Sequence, residues 1–141
     1  MGDVSETAAP WSRLMDVYTG TLRSAREAFD QLGVKGFIMC HLSHSYHSGA
    51  CLYFTFAFAP GVESADGQLE KYWVVKRAIQ QSFVDTGATI SHHHGVGTDH
   101  AHWLEEDISS AGTDVMVSLL RGVDPGRNLN PGTLLPAHRE W

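Results

Sequence analysis

A run of three histidines, His92–His94, is the stretch of this sequence best suited to chemistry, and Gly95, Val96 and Gly97 follow it directly. An imidazole titrates near neutral pH, so it can both donate and accept a proton. Glycine adopts positive φ and lets the backbone approach a ligand closely. The combination predicts acid–base work beside a flat cofactor. The two glycines do not complete a G-x-G-x-x-G pattern, which argues against a Rossmann dinucleotide site.

Metal binding is a second interpretation of these histidines, and exposed loop histidines without a function are a third. At the end of a strand, His92 and His94 would share one side and His93 would take the other, so the run offers at most two convergent ligands. Three more histidines lie at H-x2-H-x2-H spacing in residues 41–47. They would share one face only in a helix, whereas their apolar neighbours favour a strand. Neither C-x2-C nor H-E-x-x-H spacing occurs, and we therefore predict no native metal site.

The elements that must position these residues follow from the hydrophobic periodicity. Apolar residues recur at helical spacing from Trp11 to Leu32, and Gly33 predicts the helix end. Residues 35–44 predict a largely buried strand, and residues 50–58 predict a second strand after an HSYHSG turn.

The second predicted strand has two unlike faces, because successive side chains of a strand point to opposite sides. Its predicted core face consists of Leu52, Phe54, Phe56 and Phe58. The opposite face is smaller and more polar, and it consists of Cys51, Tyr53, Thr55 and Ala57. The polar face could line a pocket.

The remaining predicted elements are helices and one short strand. A helix is predicted from Gln68 to Thr86, and residues 88–91 predict a strand that leads into the histidine run. Residues 100–107 and 109–123 predict two further helices, followed by turns at DPG and NPG. This order is typical of an α+β fold, in which helices cover a small antiparallel, ferredoxin-like sheet and a helical extension follows at the C-terminus.

Composition and charge exclude several classes of partner. A chain of 141 residues predicts one domain with its own core. The net charge of -6 and the scattered lysines and arginines argue against nucleic acid or an anionic membrane surface. No apolar run approaches the roughly 18 residues of a membrane span, and MGDVSETAAP has no signal-peptide pattern. We therefore expect a cytoplasmic protein, at most peripheral to a membrane, in which Cys40 and Cys51 stay reduced.

Three segments, taken in order, resemble a known family. They are YHSGACLYFTFAF, TISHHHGVG followed by WL, and VDPGRNLNPGTLLP. From about Gly33 to Pro136 the chain is similar to the C-terminal part of the FAD-linked oxidases related to vanillyl-alcohol oxidase. Within that family it most resembles the alkyldihydroxyacetonephosphate synthases (alkylglycerone-phosphate synthases) of ether-lipid synthesis.

The resemblance implies a reaction and a set of site residues. In these synthases the flavin N5 forms an adduct with acyl-dihydroxyacetone phosphate, the fatty acid leaves, and a fatty alcohol replaces it without net redox change. Tyr53 matches the family's tyrosine and His92–His94 match its histidine triplet, which implies proton transfer at the substrate carbon. Gly95, Gly97 and Asn130 are the implied contacts of the FAD cofactor.

Two departures from the family pattern bear on the substrate and on the cofactor. The synthases carry a lysine and an arginine just after HHHGVG, whereas this chain has Thr98, Asp99 and His100. Losing two cations weakens the case for a phosphate ligand and keeps oxidation of an alcohol or acid by a flavin oxidase or dehydrogenase as an alternative. In addition, no segment resembles the Gly-rich pyrophosphate loop of the family's FAD-binding domain.

The resemblance also implies a domain division. Residues 1–10 are expected to be a flexible lead-in, residues 11–97 part of the substrate-covering cap domain, and residues 98–141 a helical segment that returns to the FAD-binding domain. We expect a fragment, a truncated gene product or one subunit of a split enzyme, which needs an FAD-binding domain or subunit as partner and is inactive alone. Its substrate is expected to be small or lipid-like. The alternatives are a decayed fragment and a stand-alone, self-associating module that binds a ligand or metal in a His-lined pocket.

Overall fold

A computed structural model describes residues 1–141 and divides them into two units, Met1–His92 and His93–Trp141. The first unit contains, in chain order, β1 (Gly2–Pro10), α1 (Leu14–Leu32), β2 (Lys35–Ser45), β3 (Gly49–Ala59) and α2 (Ala65–Asp85). The second unit contains α3 (Gly97–His100), a 3-10 turn (Ala101–Trp103) and α4 (Leu104–Val123). The predicted α+β class, a small antiparallel sheet with helices and a helical C-terminal segment, is confirmed.

The central strand of the sheet is β3, and the strand order is β1-β3-β2 with both pairs antiparallel. Its predicted core face is confirmed, because Leu52, Phe54, Phe56 and Phe58 are all at most 5% exposed. The same core contains Val17, Ala25 and Phe29 of α1 and Val75, Ile79 and Phe83 of α2. Each buried phenylalanine contributes about 1.5–3 kcal/mol, so the sheet and the two helices stabilise one another.

The N-terminal segment departs most from expectation. The prediction of a flexible lead-in over residues 1–10 was wrong, because Gly2–Pro10 pair with β3 along their whole length. The predicted strand over residues 88–91 is absent, and Thr89 instead donates one backbone hydrogen bond to the Ala8 carbonyl at 3.1 Å. A strand at the centre of a sheet has backbone N–H and C=O groups along both edges, and β1 satisfies those on one edge of β3. Pairing with β3 thus overrides the weak strand propensity of small and polar residues.

The other edge strand, β2, forms as predicted, but the expectation that it is largely buried was wrong. Phe37, Met39 and Leu42 are 52%, 56% and 45% exposed. An edge strand has a neighbour on one side only, and its apolar residues need not face the core. The register of β2 against β3 shifts between Leu42 and His44, as in a β-bulge.

The helix ends follow from local hydrogen bonds. Gly33 ends α1 with a φ of 63°, and the next N–H bonds back across the last turn, as in a Schellman motif. The start of α2 lies at Ala65, three residues before the predicted Gln68, because the Ser64 side chain accepts a hydrogen bond from the Gly67 N–H at 3.2 Å. In the second unit, α4 is broken at Ser109, the boundary between two predicted helices. No helix combines the length and the apolar character of a membrane span.

Candidate active site

A buried carboxylate, Glu6 on β1, organises the polar face of the sheet, and its side chain is 0% exposed. Its Oε1 accepts hydrogen bonds from Ser91 Oγ at 2.9 Å and from the His92 backbone N–H at 2.8 Å. Its Oε2 accepts from the Cys51 thiol at 3.4 Å. Glu6 therefore fixes the start of the histidine run against β1 and β3.

The imidazole of His92 has a partner near each nitrogen. Its Nδ1 lies 3.8 Å from Glu6 Oε2, and its Nε2 lies 3.0 Å from the hydroxyl of Tyr46. Tyr46 belongs to the turn between β2 and β3, where its N–H donates to the Gly49 carbonyl at 2.8 Å. A carboxylate on one side and a hydroxyl on the other orient an imidazole for proton transfer.

Tyr53 lies near the middle of β3, opposite Glu6 on β1 and His41 on β2. Directly opposed residues of antiparallel strands point to the same face of the sheet. Tyr53 therefore shares its face with the carboxylate that holds His92, and it is partly exposed there. Glu6, which the sequence did not reveal, is thus both the strand partner of Tyr53 and the acceptor for the His92 N–H.

The other predicted site residues belong to the second unit. His93 and His94 are exposed, and their rings meet edge to face with centroids 4.6 Å apart. They lie in a loop, so the expectation that the run ends a strand was wrong. Downstream, His100 Nδ1 donates to the Gly95 carbonyl at 3.1 Å.

The three predicted cofactor contacts share a backbone property. Gly95, Gly97 and Asn130 have φ values of 84°, 56° and 54°. A side-chain carbon added at either glycine would meet no atom within 4 Å, so the space beside both Cα atoms is open. Left-handed backbone with open space fits a planar ring that approaches the main chain. The assignment of Gly95, Gly97 and Asn130 as flavin contacts stays a prediction, and none of the three belongs to a Gly-rich pyrophosphate loop.

The two cysteines are free thiols in the structure. Burial raises the pKa of Cys40 to about 11, and it raises the pKa of Cys51, which also lies beside Glu6. Because the thiolate is the reactive form, neither cysteine is suited to act as a nucleophile at neutral pH.

Glu6, Tyr46 and Ser91 were missed at the level of sequence. Glu6 stands in a run of small and polar residues with no flanking motif, and its partners lie 45 to 86 positions further along the chain. The only usable signal is the alternation of β1, which puts Val4, Glu6 and Ala8 on one face. That alternation is visible only once the segment is known to be a strand.

The chain is similar to known proteins over nearly its whole length. Residues 1–134 match the family described as FAD linked oxidases, C-terminal domain. Alkyldihydroxyacetonephosphate synthase of Trypanosoma brucei brucei is 30% identical over 135 residues, which are 96% of this chain and 22% of that protein. The Escherichia coli (strain K12) protein named uncharacterized FAD-linked oxidoreductase YgcU is 26% identical over 140 residues, or 99% of this chain and 29% of that protein.

A solved structure of alkyldihydroxyacetonephosphate synthase has the same fold, with a TM-score of 0.57 and 24% identity over 88% of this chain and 19% of that chain. The chain thus spans less than a third of the length of the relatives it matches.

Proposed function

Because this chain belongs to the family of FAD-linked oxidase C-terminal domains, we propose that it is the C-terminal part of an FAD-dependent enzyme resembling alkyldihydroxyacetonephosphate synthase. The observation that carries the proposal is the pairing of Tyr53 with Glu6 across two strands, since Glu6 also binds the His92 backbone. In this proposal the complete enzyme exchanges the acyl group of acyl-dihydroxyacetone phosphate for a fatty alcohol.

The residues of this chain would supply proton transfer and orientation. When bound, FAD would supply an electrophilic ring nitrogen that reacts with the substrate carbon. The Tyr53 hydroxyl takes and returns the proton of that carbon, and His92 passes protons at Nε2 while Glu6 keeps its ring in place. His93 and His94, which match the same histidine triplet of the family, would also take part in proton transfer.

The proposed cofactor contacts and partner follow from the same premise. Gly95, Gly97 and Asn130 would hold part of the flavin with their open, left-handed backbone. Most of the FAD contacts would come from an FAD-binding domain or subunit. Residues 98–141 would return the chain to that partner, and residues 11–97 together with β1 would belong to the cap.

A second candidate function is oxidation of an alcohol or acid by the same flavin site. The observation that favours it is Asp99, which is exposed in the position where the synthases carry a cation. Thr98 Oγ donates to Asp99 Oδ1 at 3.4 Å, so neither side chain offers a positive charge to a phosphate.

The test begins with flavin binding. Quenching of flavin fluorescence is measured with the purified chain alone and together with the FAD-binding domain or subunit encoded with it. We expect binding only in the second case. In a first assay, the assembled enzyme is given acyl-dihydroxyacetone phosphate with a labelled fatty alcohol. In a second assay, it is given alcohols or acids while the flavin absorbance is followed. Label transfer supports the synthase, flavin bleaching supports the oxidoreductase, and failure of the assembled pair to bind FAD contradicts both.

The proposed role of Tyr53 has its own test in the assembled enzyme. Tyr53→Phe should lower turnover about 10²- to 10⁴-fold, the usual contribution of a general acid–base group, with an unchanged unfolding transition. Tyr18→Phe on α1 is the matched control and should keep full activity. Equal turnover of the two variants would remove Tyr53 from the mechanism.

A further inference from the structure

Three metal-ligating side chains converge next to Glu6. They are His44 of β2, Cys51 of β3 and His92, and their ligand atoms all lie within 4.8 Å of one another. The rings of His44 and His92 have centroids 5.4 Å apart. We propose that these three residues bind a divalent transition-metal ion, Zn²⁺ or one of similar ligand preference, with a further position open to solvent or another ligand.

The bulge in β2 is what assembles this cluster. His41 pairs with Tyr53 and Leu42 pairs with Leu52, but the next pair is His44 with Cys51, so that Ser43 is skipped. In an unbroken ladder, Ser43 would face Cys51 and His44 would point to the other side of the sheet. The extra residue therefore turns His44 onto the face of Cys51. Bulges of this kind often re-aim a side chain at a functional site.

The donor set and the spacing suit zinc. Two imidazoles and one thiolate are common zinc ligands, with Zn–N near 2.0–2.1 Å and Zn–S near 2.3 Å, which puts tetrahedral ligand atoms about 3.4–3.6 Å apart. Ligand atoms no more than 4.8 Å apart therefore need side-chain movements of about 1 Å to close on one ion. On binding, the Cys51 thiol proton leaves to solvent and the thiolate bonds to the metal.

The surroundings supply the outer contacts that metal-bound histidines use. Ser43 Oγ lies 3.2 Å from His44 Nδ1, and Glu6 Oε2 lies 3.8 Å from His92 Nδ1. Ligating histidines commonly direct their second nitrogen to a hydroxyl or carboxylate in this way. In this arrangement Nε2 of each ring would be the ligand atom, and the Tyr46 hydroxyl would give up its hydrogen bond to His92 Nε2. The two negative charges of Glu6 and the Cys51 thiolate match a dication.

The proposal uses only residues of the unit Met1–His92 and does not depend on FAD. It does intersect the proposed function, because an ion on His92 Nε2 would prevent proton transfer at that atom. Metal binding and catalysis by His92 would therefore exclude one another.

The test is titration of the purified full chain with Co²⁺, followed by displacement with Zn²⁺. A thiolate–cobalt charge-transfer band that saturates at one equivalent, with tetrahedral visible absorption, is the expected result. Cys51→Ser should abolish the band. His44→Ala, at an exposed position, should weaken Co²⁺ binding at least 10-fold, and Glu6→Gln should weaken it about 10- to 100-fold as an outer contact.

Two matched variants separate this site from adventitious binding. Cys40→Ser removes the other thiol, which pairs with Phe54 on the core face, and His47→Ala removes an exposed histidine of the neighbouring turn. Both should bind Co²⁺ like the wild type. No charge-transfer band, a band lost in Cys40→Ser, or equal weakening by His44→Ala and His47→Ala would each overturn the proposal.

Discussion

The two units of the chain are organised by different interactions. In Met1–His92, a sheet and two helices share a core in which Phe54, Phe56 and Phe83 are fully buried. In His93–Trp141, polar links are prominent, and Val115, Leu119 and Val123 on α4 are 62–70% exposed. The second unit also buries apolar residues, among them Trp103, Leu104 and Leu135. The comparison therefore predicts that apolar truncations cost most in the core of the first unit and least on the exposed side of α4.

The largest difference between the two units is expected when one apolar side chain is truncated in each of them. Phe83→Ala empties a fully buried site and should cost about 3–5 kcal/mol of unfolding free energy. Leu119→Ala on α4 removes an exposed side chain and should change it by less than about 0.5 kcal/mol. Urea unfolding followed by circular dichroism measures both. Similar costs for the two variants would show that α4 is also held by apolar packing.

The sequence predicted the elements that have a local pattern and missed those that depend on contacts between distant residues. The alternating phenylalanines of β3 and the helical spacing of α1 are local patterns, and both gave the correct elements. The segment Gly2–Pro10 has no such local pattern. It forms a strand because it pairs with one edge of β3, and this pairing cannot be read from the segment alone. In the candidate site, Tyr53 and the histidines were recognisable as types in a motif. Glu6 was not, since its role arises only from contacts with residues distant in sequence.

A second prediction concerns the polar face of the first unit. Glu6→Ala leaves Ser91 Oγ and the His92 N–H without their acceptor. Because both donors are partly buried, each should cost about 1–2 kcal/mol, and we expect a total loss of about 2–4 kcal/mol. Hydrogen exchange of the His92 amide should accelerate more than exchange in α2. Glu27→Ala, at an exposed position of α1, is the control. If the two variants are equally stable, Glu6 does not anchor the histidine run.

A third prediction uses the ion pair that joins α2 to β1. Burial raises the pKa of Asp3, but hydrogen bonds from Lys76 and Tyr72 outweigh it, so the pKa lies below the ordinary 3.8. A lowered pKa in the folded state stabilises the protein above pH 3.8, and this contribution is lost as the pH falls through the folded-state value. Asp3→Asn keeps an acceptor for Lys76 and should cost about 1 kcal/mol at neutral pH.

The measurement is the free energy of unfolding of the wild type and of Asp3→Asn at a series of pH values from neutral pH down to the onset of acid unfolding. The two curves should converge on acidification, because the wild-type carboxylate becomes neutral. Asp66→Asn, in the exposed first turn of α2, should show no such convergence. Curves that stay parallel down to the acid transition would mean that the Asp3 charge does not stabilise the fold.

The smallest expected effect lies in the second unit, where Arg139 joins Glu105 to Asp114. Arg139 Nε donates to Glu105 Oε1 at 2.8 Å, and its Nη1 donates to Asp114 Oδ1 at 2.9 Å. Hydrogen bonds from Arg139 and His138 hold the pKa of Glu105 below its ordinary 4.5. Because the Glu105 side chain is partly exposed to water, added salt should move this pKa back toward 4.5.

Carboxyl-carbon NMR of Glu105 across a pH titration, at low and high salt, measures this shift. Arg139→Lys keeps the positive charge but loses the pair of N–H donors that the guanidinium directs at Glu105. It should therefore raise the pKa of Glu105 partly toward the ordinary 4.5. Arg23→Lys on α1 should leave it unchanged. The stabilising contribution exists above the ordinary pKa and disappears as the pH falls through the lowered one. A pKa that does not respond to salt would show that this pair is shielded from water, and the contrast between the two units would then weaken.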